Sequence, residues 1–127
     1  MNPRKAFEEA INKQAHERIV EARSYRLKRD VANKRGDSIE SGSRVSLSWP
    51  GRSGARTELT DDAGNMVTVH TENLHNYVSG ISRPPSIRVM EKWMFDGVAK
   101  SVTGKRVEPD GIGPDGAPSW MLVFGII

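Results

Sequence analysis

Between residues 43 and 49 polar and apolar positions alternate. Val45, Leu47 and Trp49 fall on one side of an extended backbone, and Arg44, Ser46 and Ser48 on the other. That period of two predicts a half-buried β-strand. Pro50-Gly51 and Ser53-Gly54 interrupt it. Two further runs, residues 55–60 and 65–70, flank Asp61-Asp62-Ala63-Gly64, residue types suited to a hairpin turn. Thr71-Glu72-Asn73-Leu74 then predicts one helical turn started by Thr71.

Upstream the spacing is helical. Phe7, Ile11, Ala15, Ile19 and Ala22 share a face, and one long helix is expected over residues 3–35. Asn2 suits its cap, Pro3 its first position, Glu8 and Glu9 its positive end, and Gly36 its stop. The stripe is thin, with Tyr25, Leu27 and Val31 drifting off it, so core burial alone does not hold such a helix. It is expected to extend from the body, pack on a partner subunit or its own copy, or become fully ordered on binding. Downstream, after the linker Ser79–Pro85, Ser86 caps a helix to about Asp96, with Ile87, Met90, Trp93 and Met94 on one side and Gly97 as its stop. A Gly/Pro-rich stretch leads to the apolar Trp120–Ile127, expected to be buried as a last strand or a short docked helix.

The fold class expected is therefore α+β: a long basic N-terminal helix, a small antiparallel β segment, one helix, and a loop-rich C-terminal β hairpin or short helix. The division expected is a basic helical arm over 1–36 and a compact α+β domain over 37–127. The latter comprises the β segment 37–78 and the apolar C-terminal segment 86–127.

Composition changes this picture in two ways. The 127 residues fit one domain, and the absence of cysteine excludes disulfides, thiolate metal sites and cysteine nucleophiles. The net charge of +3 divides unevenly. Residues 1–36 carry ten Lys and Arg against five Asp and Glu, and the rest carries nine against eleven, so a +5 arm joins a −2 body. Such a patch favours polyanions through phosphate contacts. The longest apolar run, Trp120–Phe124, is far too short to span a bilayer, and MNPRKAFEEAINKQ lacks the apolar stretch of a secretion signal. A soluble intracellular protein without membrane contact is expected.

Candidate chemistry is sparse. His16, His70 and His75 match no metal-ligand spacing, and Asp61-Asp62 reads as turn chemistry. The glycine-rich stretches Gly51–Gly54 and Gly111–Gly113 lack phosphate-loop context, Glu108-Pro109-Asp110-Gly111 lacks the calcium-loop pattern, and Ser119 lacks a nucleophile elbow. No enzymatic activity, cofactor or metal is expected. What remains is cations with interleaved aromatics, a pairing that suits nucleic acid. Tyr25 sits among Arg23, Arg26, Lys28 and Arg29, followed by Lys34 and Arg35. Trp49 precedes Arg52 and Arg56, although its register with Val45 and Leu47 points it to the core. The candidate nucleic-acid or partner contacts are Arg23, Arg26, Lys28, Arg29, Lys34, Arg35, Arg52 and Arg56.

Three resemblances accompany these readings. Gly42, Arg44, Val45, Leu47, Val67, Val69, His70, Asn73 and Leu74 form a pattern that resembles a compact SH3-like barrel, a shape used by modules that bind nucleic acid or protein. The run D-G-V-x-x-x-x-x-G-x-x-V-E-P-D-G-x-x-x-x-G-x-P-S-W, Asp96–Trp120, resembles the C-terminus of small uncharacterised proteins of phages and mobile elements. Arg83, Pro85, Ser86, Val89 and Trp93, with Lys105 and Arg106, resemble the recognition helix and wing of excisionase-type winged helix-turn-helix regulators. Together they imply a small phage-type nucleic-acid-binding protein in the cytoplasm of a bacterial host, using phosphate contacts. The alternative they imply is a phage-encoded protein-interaction factor, such as an inhibitor of a host defence or host enzyme (an anti-CRISPR, for example) or a virion assembly piece.

Overall fold

The structure is a computed structural model and describes residues 19–50 and 53–126. Its main element is a four-stranded antiparallel sheet of β1 (Ile19–Arg26), β4 (Arg44–Pro50), β5 (Arg56–Asp61) and β6 (Met66–His70), in the order β1-β4-β5-β6. A small hairpin, β2 (Val31–Ala32) and β3 (Ser38–Ile39), lies between β1 and β4 in sequence. After β6 come a 3-10 turn (Thr71–Asn73), α1 (Leu74–Tyr77) and α2 (Ile87–Asp96). The hairpin β7 (Ala99–Lys100) and β8 (Arg106–Val107) and the short α3 (Trp120–Val123) complete the chain.

The long basic N-terminal helix, and with it the expected fold class, is overturned. Residues 19–26 are a strand, and Val31–Ala32 another; the part of the expected helix before residue 19 lies outside the described residues. The physical reason is a β-bulge. The β1–β4 register runs Glu21↔Ser48 and Ala22↔Leu47, then resumes at Tyr25↔Val45, with Ser24 at φ +72° inside the irregularity. The extra residue moves the inward set from Ala22 to Tyr25 and Leu27, all buried. Alternation is thereby broken, and the interval of three from Ala22 to Tyr25 imitates a helical spacing.

The β segment expected over 37–78 is part of a sheet whose first strand comes from outside that range. Val45, Leu47 and Trp49 from β4, Leu59 from β5, and Val67 and Val69 from β6 face the same core as β1. The turn Asp61–Gly64 is held by the Asp61 carboxylate, whose Oδ1 accepts from Ala63 N (3.1 Å) and Asn65 N (2.8 Å). Beyond α1 the chain returns to β1: Val78 bridges Leu27, and Ser79 N donates to Arg26 O at 2.8 Å. From residue 19 onward the first quarter of the chain is thus bonded to β4 and to the segment after α1.

The C-terminal segment closes this core. Trp120, Val123, Val102 and Ala117 belong to the same buried cluster as the sheet. Trp120 Nε1 donates to Ser82 Oγ at 3.1 Å, its ring stacks on Phe124 with centroids 5.5 Å apart, and Ser119 Oγ caps α3 by accepting from Met121 N. Gly54 docks against this helix: with φ +60°, a Cβ there would lie 1.9 Å from Val123 O. The residues of the Asp96–Trp120 motif have structural tasks here. Gly97 ends α2 in the left-handed conformation, and Asp115 Oδ2 accepts from Thr103 Oγ1 at 2.7 Å. α2 is anchored more lightly, by Met90, buried with Ala99 and Met121, and by half-buried Trp93.

Candidate functional site

At the C-terminal end of β1 the backbone is bonded on two sides. Leu27 N donates to Ser43 O (3.0 Å) and Gly42 N to Leu27 O (2.8 Å), while Lys28 N donates to Tyr77 O (2.7 Å). Leu27 is buried, and its neighbours Arg26 and Lys28 are exposed, as a period of two requires. Arg26 stands directly across from Arg44, a like-charge cross-strand pair that costs stability unless something compensates it. Both guanidinium groups are held by neutral acceptors: Arg26 Nη1 donates to Gly42 O (3.1 Å) and Arg44 Nη2 to Ser24 Oγ (2.7 Å). The bulge that broke the sequence periodicity therefore also supplies the hydroxyl that orients Arg44. Next along the chain, Lys28 Nζ donates to His75 O at 3.1 Å, and the Arg29 guanidinium lies 5.7 Å from the Tyr77 ring centroid. That distance is a cation–π contact, and Tyr77 is only half-buried.

Arg26, Ser43 and Arg44 line an open hollow of about 450 Å³ together with Asp61, Asp62 and Ala63. The Asp61 carboxylate is committed to its own turn. The Asn65 side chain, donating at 3.0 Å, and the backbone amides of Asn65, Ala63 and Gly64 hold its pKa below the ordinary value. Asp62 is exposed on that turn. In this hollow two guanidinium groups thus meet two carboxylates, one of them already held by its own turn.

The structure gathers only part of the sequence-derived set. Arg26, Lys28 and Arg29 follow one another at the end of β1, Arg26 turned to Gly42, Lys28 to His75 and Arg29 to Tyr77. Arg23 lies on β1 with its side chain outside what is described, and Arg52 lies outside the described residues. Lys34 and Arg35 occupy the β2–β3 turn, where Asn33 Oδ1 accepts from Arg35 N and Asp37 N. Asn33 Nδ2 ties that turn to Met66 O, at the same end of the sheet as Arg44. Arg56 pairs across β5–β6 with His70 at the opposite end. Sequence reasoning missed Arg44 as a site residue and Tyr77 as the aromatic. The signal for Arg44 was present, because it occupies an outward position beside Val45. Tyr77 has no local signal, since long-range backbone pairing, the Leu27–Val78 bridge and the Lys28 N–Tyr77 O bond, brings it to Arg29.

Tyr25, the aromatic expected among the cations, points into the core at 9% exposure. Burial first, and the nearby Asp115 charge second, push its phenol above the ordinary 10.0. A raised folded pKa means that its stabilising contribution is intact below pH 10 and is lost as pH rises through the folded value. The phenolate absorbance difference between the wild type and Tyr25→Phe should have its midpoint above pH 10, and a midpoint at or below 10 would contradict this burial. Trp49 is also buried, at 1% exposure.

Among the described residues no three His, Asp or Glu side chains come together as a metal-binding group. Among them, too, no helix is long and apolar enough to cross a membrane. Searches against protein-family models, curated proteins and solved structures find no match for this chain.

Proposed function

We propose that this protein is a non-enzymatic nucleic-acid-binding protein that holds the phosphate backbone with Arg26, Lys28, Arg29 and Arg44. The observation that carries the reading is the direct cross-strand opposition of Arg26 and Arg44, both exposed and both oriented by neutral acceptors. A like-charge pair held open in this way is stabilised by an anion lying between the two groups. The adjoining Arg29–Tyr77 stack offers an aromatic edge and a guanidinium plane, which is the equipment that single-stranded nucleic acid uses. Binding of this kind is sequence-tolerant and governed by counterion release. The compartment that goes with it is the cytoplasm. Fluorescence anisotropy with labelled single-stranded and duplex oligonucleotides tests it: binding at low ionic strength that collapses at moderate salt is expected, and no binding to either at low salt overturns it.

A second reading, a protein-interaction factor, is favoured by a different observation: α2 exposes Phe95 at 96%, Ile87 at 70% and Met94 at 53%. Apolar side chains grouped on one exposed helix mark a contact surface.

A further inference from the structure

α2 is amphipathic in an unusual sense. Its inner side gives Met90 and Trp93 to the body, while its outer side mixes the charged Arg88, Glu91 and Lys92 with the apolar Ile87, Met94 and Phe95. Phe95 stands almost fully free. Beside it lies a hollow of about 600 Å³ lined by Arg88, Glu91, Lys92, Met94 and Phe95. Positions 88, 91, 92 and 95 are the i, i+3, i+4 and i+7 corners of the kind of hole that receives a side chain from a facing helix. One surface thus carries both a knob and a hole.

We infer that α2 is the contact between two copies of this chain, packed antiparallel about a two-fold axis. Such an interface is isologous, so every contact occurs twice. The Phe95 ring of each copy enters the hole of the other, against its Arg88 and Lys92, where cation–π attraction adds to apolar burial. Glu91 of each copy meets Lys92 of the other. The charge pattern selects this occupant: Glu91 sits between Arg88 and Lys92, so the face supplies its own counter-charges when reversed upon itself. A uniformly basic rim would call for an acidic partner, whereas this face carries both signs. A contact made by one ten-residue helix from each copy is small, so the dimer is weak and exchanging. This inference does not rest on the nucleic-acid reading, which concerns the C-terminal end of β1 and the facing end of β4 rather than α2.

Sedimentation velocity on the full chain, from micromolar to submillimolar concentration, tests it. The wild type should show a concentration-dependent monomer–dimer equilibrium. Phe95→Asp should weaken it at least about thirtyfold without changing the melting temperature, because the ring touches little of its own body. Glu91→Lys should weaken it about tenfold, and Glu91→Lys combined with Lys92→Glu should restore it to within about threefold. A wild type that stays monomeric throughout, a Phe95→Asp variant that still dimerises, or a double reversal that fails to rescue would each overturn the proposal.

Discussion

Replacing Trp120 by alanine should cost about 3–5 kcal/mol, the range for truncating a large buried aromatic side chain. That is a large part of the ~5–15 kcal/mol by which a domain of this kind is stable, so the variant should be extensively unfolded near body temperature. Trp120 is 1% exposed, lies in the buried cluster that unites Val102 and Val123 with the sheet residues Leu47, Trp49 and Leu59, and stacks on Phe124. Its indole N–H is also satisfied, by Ser82 Oγ, which itself donates to Val102 O. Trp49 supplies the internal comparison. It is equally buried, but its Nε1 has no partner among the described residues. Trp49→Phe removes an unsatisfied donor along with some volume, whereas Trp120→Phe removes a made hydrogen bond along with similar volume. Urea denaturation should therefore rank Trp120→Ala as most damaging, then Trp120→Phe, then Trp49→Phe. Equal losses for the two phenylalanine variants would show that the Ser82 bond contributes nothing.

This ranking depends on contacts that the sequence concealed. Val45, Leu47 and Trp49 are legible as one strand face because the pleat imposes a period of two over an uninterrupted run. The hairpin around Asp61–Gly64 and the helix between Ser86 and Gly97 are legible because turns and caps demand particular side chains at fixed positions. β1 was not legible, because one extra residue at Ser24 shifts the pattern and a bulge has no local signature in Arg23-Ser24-Tyr25. The site inherits that difficulty. Arg26, Lys28 and Arg29 are visible as a basic cluster, but read as a helix they scatter around an axis, and read as a strand end they share an edge with Arg44. Tyr25 and Tyr77 exchange roles for the same reason: the first turns inward with the bulge, and the second arrives through a tertiary bridge.

Reversing the charge of the opposed pair is expected to have the largest effect on binding. Arg26→Glu with Arg44→Glu removes two phosphate contacts and puts two repelling carboxylates in their place. Affinity for oligonucleotides at low salt should fall about a hundredfold, and the slope of log affinity against log salt should flatten by about 2, one for each lost contact. Both side chains are exposed, but the new pair faces Asp61 and Asp62 across the same hollow and loses the bonds to Gly42 and Ser24. The melting temperature should therefore fall modestly while the far-ultraviolet circular dichroism spectrum stays that of the wild type, which separates a lost contact from a lost fold. Arg56→Glu, at the far end of the sheet, is the matched control and should weaken binding only through the change in net charge.

The most direct measurement is the salt dependence of oligonucleotide binding, followed by anisotropy, for the wild type, the Arg26→Glu/Arg44→Glu variant and Arg56→Glu side by side. Four phosphate contacts correspond to a wild-type slope of about −3 to −4, flattened by about 2 in the double variant and nearly unchanged in Arg56→Glu. A wild type that does not bind at low salt, or a double variant whose slope equals that of the wild type, would contradict the assignment of phosphate contacts to this end of β1.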